Sequence, residues 1–178
     1  LVYQGGNRMS HFWVKFCLLS SLILFVCALW RSNQIPDRTT WLPELLTEPQ
    51  QAPAERLPFS ANAGGVTYQI TPLYEYELYG MVVSRHRADT WWDYLHAEWN
   101  DHLNITDLCV IWGDNGRNDA YKEFSFYSQQ FTCNYSTNSQ EAYTQFNQSA
   151  LSNNHLLSDK ESLVRVLRQV QVGDQIHL

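Results

Sequence analysis

The chain has 178 residues and a mass of 20.8 kDa, room for one ordinary domain and an appendage but not for two full domains. Hydrophobic residues make up 44%, aromatics 14% and charged residues 17%, which excludes a collagenous, coiled-coil or wholly disordered chain. Twelve basic residues against 18 acids leave a net charge of −6, so the cationic face that supplies most non-specific phosphate affinity is missing and nucleic acid is not an expected partner.

The chain opens on Leu1, and the first plausible start is Met9, so residues 1 to 8 of the lead (1 to 11) are expected to be untranslated. Residues 16 to 30 (FCLLSSLILFVCALW) carry no charge and address the chain to a membrane. Two readings of residues 12 to 30 are open. A cleaved signal has acceptable small residues for a cut after Ala28, whereas an uncleaved anchor needs a longer span. Trp13 and Trp30 bracket the run at a separation of roughly 25 Å along a helix, and Lys15 can snorkel, so a transmembrane anchor is the favoured reading. Positive charge does not set the orientation, because Lys15 with Arg8 or the amino terminus on one side faces Arg31 and Arg38 on the other. A single-pass membrane protein is expected, with its C-terminal domain outside the cytoplasm on the strength of two cysteines, Cys109 and Cys133, and of a soluble domain placed behind an N-terminal apolar segment.

Five of the six prolines (Pro36, Pro43, Pro49, Pro53, Pro58) fall within residues 31 to 63, which read as a Pro-rich linker, extended or irregular, holding the domain off the bilayer. Trp41-Leu42 and Leu45-Leu46 are the places where it could pack down or form a short helix. The domain is expected over 64 to 178. Val66, Tyr68 and Ile70, then Tyr74, Tyr76 and Leu78, alternate as strands, with Met81-Val82-Val83 following. Residues 88 to 103 switch to a helical stripe of Trp92, Leu95, His96, Trp99 and Leu103. The apolar run 107 to 112 (DLCVIW) reads as a strand ended by Gly113-Asp114-Asn115-Gly116, and residues 124 to 135 alternate again. Residues 139 to 147 offer one or two helical turns. Ser158 and Glu161 have capping-box spacing before a helix with Leu163, Val166, Leu167 and Val170 on one face. The last seven residues (VGDQIHL) read as a turn into a strand that stops in mid-pattern, so truncation at the C-terminus is expected. The fold class is α+β: a mostly antiparallel sheet or small open β-barrel with two helices, behind an N-terminal transmembrane helix.

The segments YGMVVS (79 to 84), WWDYLHAEWNDHLN (91 to 104), DLCVIWGDN (107 to 115), ALSNNHLL (150 to 157) and VGDQIHL (172 to 178) together resemble an uncharacterised family of small membrane-anchored bacterial envelope proteins. The resemblance covers about residues 66 to 178. It implies a bacterial inner-membrane location, single-pass with the C-terminal domain in the periplasm or outside the cell, and a longer C-terminus, and it supplies no catalytic residues.

Cys109 and Cys133 sit on two expected strands among inward-facing residues. In an exported domain they can form a disulfide worth roughly 3 kcal/mol, the alternatives being two buried thiols or a reactive one. Asp93, His96, Glu98, Asp101 and His102 have ligand types at helical spacing. On a helical wheel, however, His96 lies with Trp92 and Trp99, His102 and Glu98 fall toward the flank, and Asp93 lies on the other side. No metal and no other cofactor is therefore expected. The polar cluster Ser152-Asn153-Asn154-His155 and the loop residues Asp114 and Asn115 are candidates for a ligand or acid–base site, against the plainer reading of turn chemistry. Trp91, Trp92, Trp99 and Trp112, with Tyr68, Tyr74, Tyr76 and Tyr79, could form a contact face for a glycan or protein, against the plainer reading of core packing.

The expected function is a non-enzymatic binding or interaction module tethered to the lipid bilayer and contacting another envelope protein or a wall polymer. The alternative is an envelope hydrolase or transferase using His155, Asn154 and Asp114.

Overall fold

The computed structural model describes residues 8 to 32, 34 to 129 and 131 to 178, so the first seven residues of the lead lie outside the described residues. Two compact units divide the chain, Leu1–Gln34 and Ile35–Leu178. The first contains helix α1 (Arg8–Ser32), which is apolar around its whole circumference rather than along one stripe. Its window His11–Ala28 is long and apolar enough to cross a membrane by length and composition, and none of that window is buried.

The second unit runs β1 (Gln50–Pro53), β2 (Phe59–Ala63), β3 (Val66–Ile70), β4 (Tyr74–Glu77), β5 (Tyr79–Arg87), α2 (Tyr94–Glu98), β6 (Asn104–Ile111), β7 (Ser125–Gln129), β8 (Thr132–Ser136), α3 (Gln140–Gln145), β9 (Leu151–Leu157), α4 (Glu161–Gln169) and β10 (Gln175–His177). Its centre is a four-stranded antiparallel sheet in the order β10-β5-β6-β9, with β1–β4, β2–β3 and β7–β8 as two-stranded antiparallel ribbons. The fold is α+β, as the alternation and the switch to helical period indicate.

β6 is buried at every position, which explains why its second half, Leu108 to Ile111, is a continuous apolar run rather than an alternation. Both of its faces are covered. On one, Met81, Val83, Cys109 and Ile111 pack against Trp41, Tyr121, Phe124 and Phe146. On the other, Leu78, Val82, Leu108 and Val110 pack with Trp112 and Ala150. A bulge sets Val83 and Ser84 together opposite Cys109, so both can face the first cluster. The β7–β8 ribbon lies over that first face, and a Cys109–Cys133 disulfide, with Cα atoms 5.4 Å apart, staples β8 to β6.

From Ile35 onward the expected linker belongs to the second unit. Trp41 and Leu45 are buried, in and beside the short 3₁₀ turn Pro43–Leu46, and β1 and β2 lie in the same stretch. The apolar pairs flagged in the sequence therefore pack down, and proline is tolerated at β1 because that strand pairs on one side alone. Gly116 makes room for Trp41, since a Cβ there would lie 2.3 Å from the indole.

Two helices differ from expectation. The stripe over 88 to 103 yields only the five residues of α2, because Asp93 turns its side chain back to cap the helix and Asn100 adopts a left-handed φ of 55° beyond its end. The Ser158–Glu161 capping box does not form: the Ser158 hydroxyl accepts from Lys160 N at 3.0 Å and the helix begins at Glu161.

Candidate functional site

Strand register builds the site. His86 on β5 is paired with Asp107 on β6, and Asp107 with His155 on β9. Directly opposed residues of antiparallel strands project from the same face, so the three side chains form one row across the sheet. They lie on the face that carries Cys109 and Ile111 two and four residues further along β6.

Asp107 is fully buried. Its Oδ1 accepts from Asn104 Nδ2 and from His155 Nδ1, both at 2.7 Å, and its Oδ2 accepts from Phe131 N at 3.4 Å. Three donors offset most of the desolvation of a buried carboxylate. The contact fixes the His155 tautomer, with the proton on Nδ1, and leaves Nε2 as an acceptor facing Asn153 Nδ2 at 3.3 Å. His155 retains 38% side-chain exposure.

A second cluster covers His86. Asp93, also buried, accepts from the backbone N of His96 at 3.4 Å with one oxygen and meets His86 Nε2 with the other. His96 Nδ1 bonds Asp101 Oδ2 at 2.8 Å, while its Nε2 is buried with no hydrogen-bond partner among the described residues, 3.8 Å from Asp93 Oδ2. The ligand atoms of His86, Asp93 and His96 all lie within 4.8 Å of one another, a grouping able to hold a metal ion. The wheel that separates Asp93 from His96 fails because Asp93 stands outside the helix as its cap.

Phe131 joins the two clusters. Gln129 pairs with Thr132, so Phe131 lies in the β7–β8 turn, with a φ of 62° that bulky side chains rarely adopt. Its ring stacks on Trp99 at 5.1 Å and packs against His96 at 4.4 Å and His155 at 5.9 Å. Holding a non-glycine residue there costs about 1 to 3 kcal/mol, which these ring contacts offset.

A cavity of about 460 Å³ opens beside the second cluster, lined by Asp93, His96, Asp101, His102 and Asn104, with Trp91 at its edge. Asn104 Oδ1 is another buried polar atom without a partner among the described residues. Gly64 approaches this wall so closely that a Cβ would lie 2.3 Å from the His102 ring.

Of the tryptophans singled out in the sequence, Trp91 is 90% exposed and Trp92 and Trp99 are each 62% exposed, whereas Trp112 is 6% exposed and donates to Glu48 Oε2 at 3.3 Å. Trp112 therefore belongs to the core and not to that face. His155 and Asn154 are successive residues on β9 and point to opposite faces; Asn154 Nδ2 reaches Leu108 O at 3.3 Å and Ser152 Oγ at 2.9 Å. Asp114 sits in the turn beyond Ile111, which pairs with Leu151, about 13 Å of strand from His155. It is exposed and bonds Arg117 Nε at 3.1 Å. The structure does not bring His155, Asn154 and Asp114 together. Asn115 is buried and structural, donating to Asn147 O and Ala150 O at 3.0 Å and accepting from Asn147 N at 2.8 Å.

His86 and Asp107 were not anticipated as site residues. Asp107 carried a usable signal: a lone carboxylate heading an apolar strand must find donors when buried. His86, between Arg85 and Arg87 at a strand end, carried none. Compared with known protein families, curated proteins and solved structures, the chain matches none of them.

Proposed function

We propose that the protein is a non-enzymatic binding module tethered to a bacterial inner membrane by α1, with the second unit outside the cytoplasm. It contacts a wall polymer or another envelope protein. The reading is supported by an unburied apolar helix and by a disulfide, which persists in oxidising compartments. The observation that carries it is the cluster of Trp91, Trp92 and Trp99, exposed by 62% or more within nine residues around α2. Trp99 also stacks on Phe131, but the outward faces of the three rings contribute nothing to folding while they face water, and indoles beside a pocket of Asp, His and Asn suit the alternating apolar faces and hydroxyls of a sugar polymer.

Co-sedimentation of the full chain with insoluble cell-wall glycan tests this. The Trp91→Ala/Trp92→Ala double variant is expected to lose at least about tenfold in affinity, each large aromatic anchor being worth about 1 kcal/mol or more. Unchanged sedimentation of a folded double variant, or none by the wild type, counts against the polymer. Recovery of the chain in the soluble cytosolic fraction counts against the tether.

The Asp107–His155 pair favours a second reading, acid–base chemistry with His155 Nε2 as the proton acceptor. Among the described residues no Ser, Thr or Cys bonds His155, so a hydrolase here needs water as nucleophile. Glycan turnover lost in His155→Ala supports it; binding without turnover supports the first reading.

A further inference from the structure

We propose that His86, Asp93 and His96 bind a divalent first-row transition ion through His86 Nε2, Asp93 Oδ2 and His96 Nε2, with Asp101 as the positioning carboxylate. The inference depends neither on export nor on the indole face.

The ligand set comes from two directions. His86 is supplied by β5, and Asp93 and His96 by the turn and first residues of α2, so three side chains from separate parts of the fold point at one spot. The second observation is the state of His96. It is 2% exposed, and Asp101 accepts from its Nδ1, which leaves the Nε2 lone pair as the free function. That lone pair points toward a carboxylate oxygen 3.8 Å away, too far for a hydrogen bond even if Nε2 carried a proton. A buried acceptor beside a buried carboxylate is a poor arrangement for folding alone and a suitable one for a cation. Metal-bound histidines almost always donate the other ring N–H to a carboxylate, a backbone carbonyl or water, and Asp101 is such an outer carboxylate here.

The donor chemistry selects the ion. Calcium and magnesium take oxygen ligands, whereas two imidazoles and one carboxylate suit zinc and its neighbours. The atoms already lie within 4.8 Å of one another, and bonds of about 2.0 to 2.2 Å require only side-chain adjustment. Asp93 and His96 also line the cavity, so water can enter and complete the coordination. Three protein ligands with an open position is the form of exchangeable and catalytic sites rather than of closed structural ones.

The test is equilibrium dialysis of the full, untagged chain in detergent, stripped with chelator and titrated with zinc at fixed pH. One zinc per chain is expected, at about micromolar affinity or tighter. His96→Ala and His86→Ala are each expected to weaken binding by more than roughly 100-fold, and Asp101→Asn by about 10- to 100-fold with recovery in Asp101→Glu. His177→Ala, at the other end of β5, leaves binding unchanged. Far-UV circular dichroism checks folding; because His96 is buried, the partly exposed His86 provides the decisive variant if His96→Ala does not fold. No zinc on the folded wild type, or undiminished affinity in folded His86→Ala, overturns the proposal. Neither outcome bears on the membrane tether or on the tryptophan face, whose own tests are separate.

Discussion

The two ends of one sheet face are built from the same three strands and do opposite things. Toward one end Met81, Cys109 and Ile111 meet Tyr121, Phe124 and Phe146 in a dry cluster. Toward the other, His86, Asp107 and His155 stand in a row beneath Phe131, with Asp93 and His96 closing over them. Burial stabilises the first end at about 25 cal/mol per Å² of apolar area. Among the described residues the second end carries desolvated carboxylates and three partnerless buried atoms, His96 Nε2, Asn104 Oδ1 and Asn153 Oδ1, against one, Trp41 Nε1, in the dry cluster; each costs about 1 to 3 kcal/mol. A sheet that needed only stability would carry apolar residues along its whole length; this one gathers its buried polar groups toward one end of the strand axis.

The comparison can be broken at either end. Phe124→Ala, in the dry cluster, is expected to cost about 3 to 5 kcal/mol in urea unfolding. A loss below about 1 kcal/mol removes the claim that this end holds the domain together. Removing the staple with Cys109→Ser/Cys133→Ser is expected to cost about 3 kcal/mol, and thiol counting on the denatured, unreduced chain checks the bond directly.

Tyr121 sharpens the contrast through pH. Its phenol, buried and donating to Pro36 O at 2.7 Å, has its pKa pushed up by burial to about 12 from the ordinary 10.0. Between those values the unfolded state binds fewer protons than the folded one, so stability falls as pH rises. The contribution is fully present below about pH 10 and lost by about pH 12, a change of about 2 to 3 kcal/mol. Tyr121→Phe is expected to remove that difference, as read by denaturant midpoints at stepped pH. The smallest effect belongs to the polar end: His96→Leu, in metal-free protein, is expected to be neutral or stabilising by about 1 kcal/mol, because it removes an orphaned buried acceptor.

The dry end was legible in the sequence and the polar end was not. Alternation and the apolar run marked β5 and β6, and the cysteine positions pointed to a possible pairing. The row of His86, Asp107 and His155 depends on register across residues 21 and 48 positions apart, which no local period encodes. The His96–Asp93 convergence was hidden for a different reason: a short capped turn was read as a long helix, and a wheel places residues correctly only inside one. Asn154 and Asp114 were drawn toward His155 by sequence proximity and loop position. Strand geometry assigns one to the opposite face and the other to the far end.

The claim that the polar end is built to bind rather than to stabilise is tested most directly by melting the full chain with chelator and with zinc, in wild type and His96→Leu. At zinc about 100-fold above its dissociation constant, the wild type is expected to gain roughly 5 to 10 °C. His96→Leu is expected to gain nothing while melting, in chelator, at or above the wild type. Equal gains in the two proteins, or no gain in either, would contradict the account.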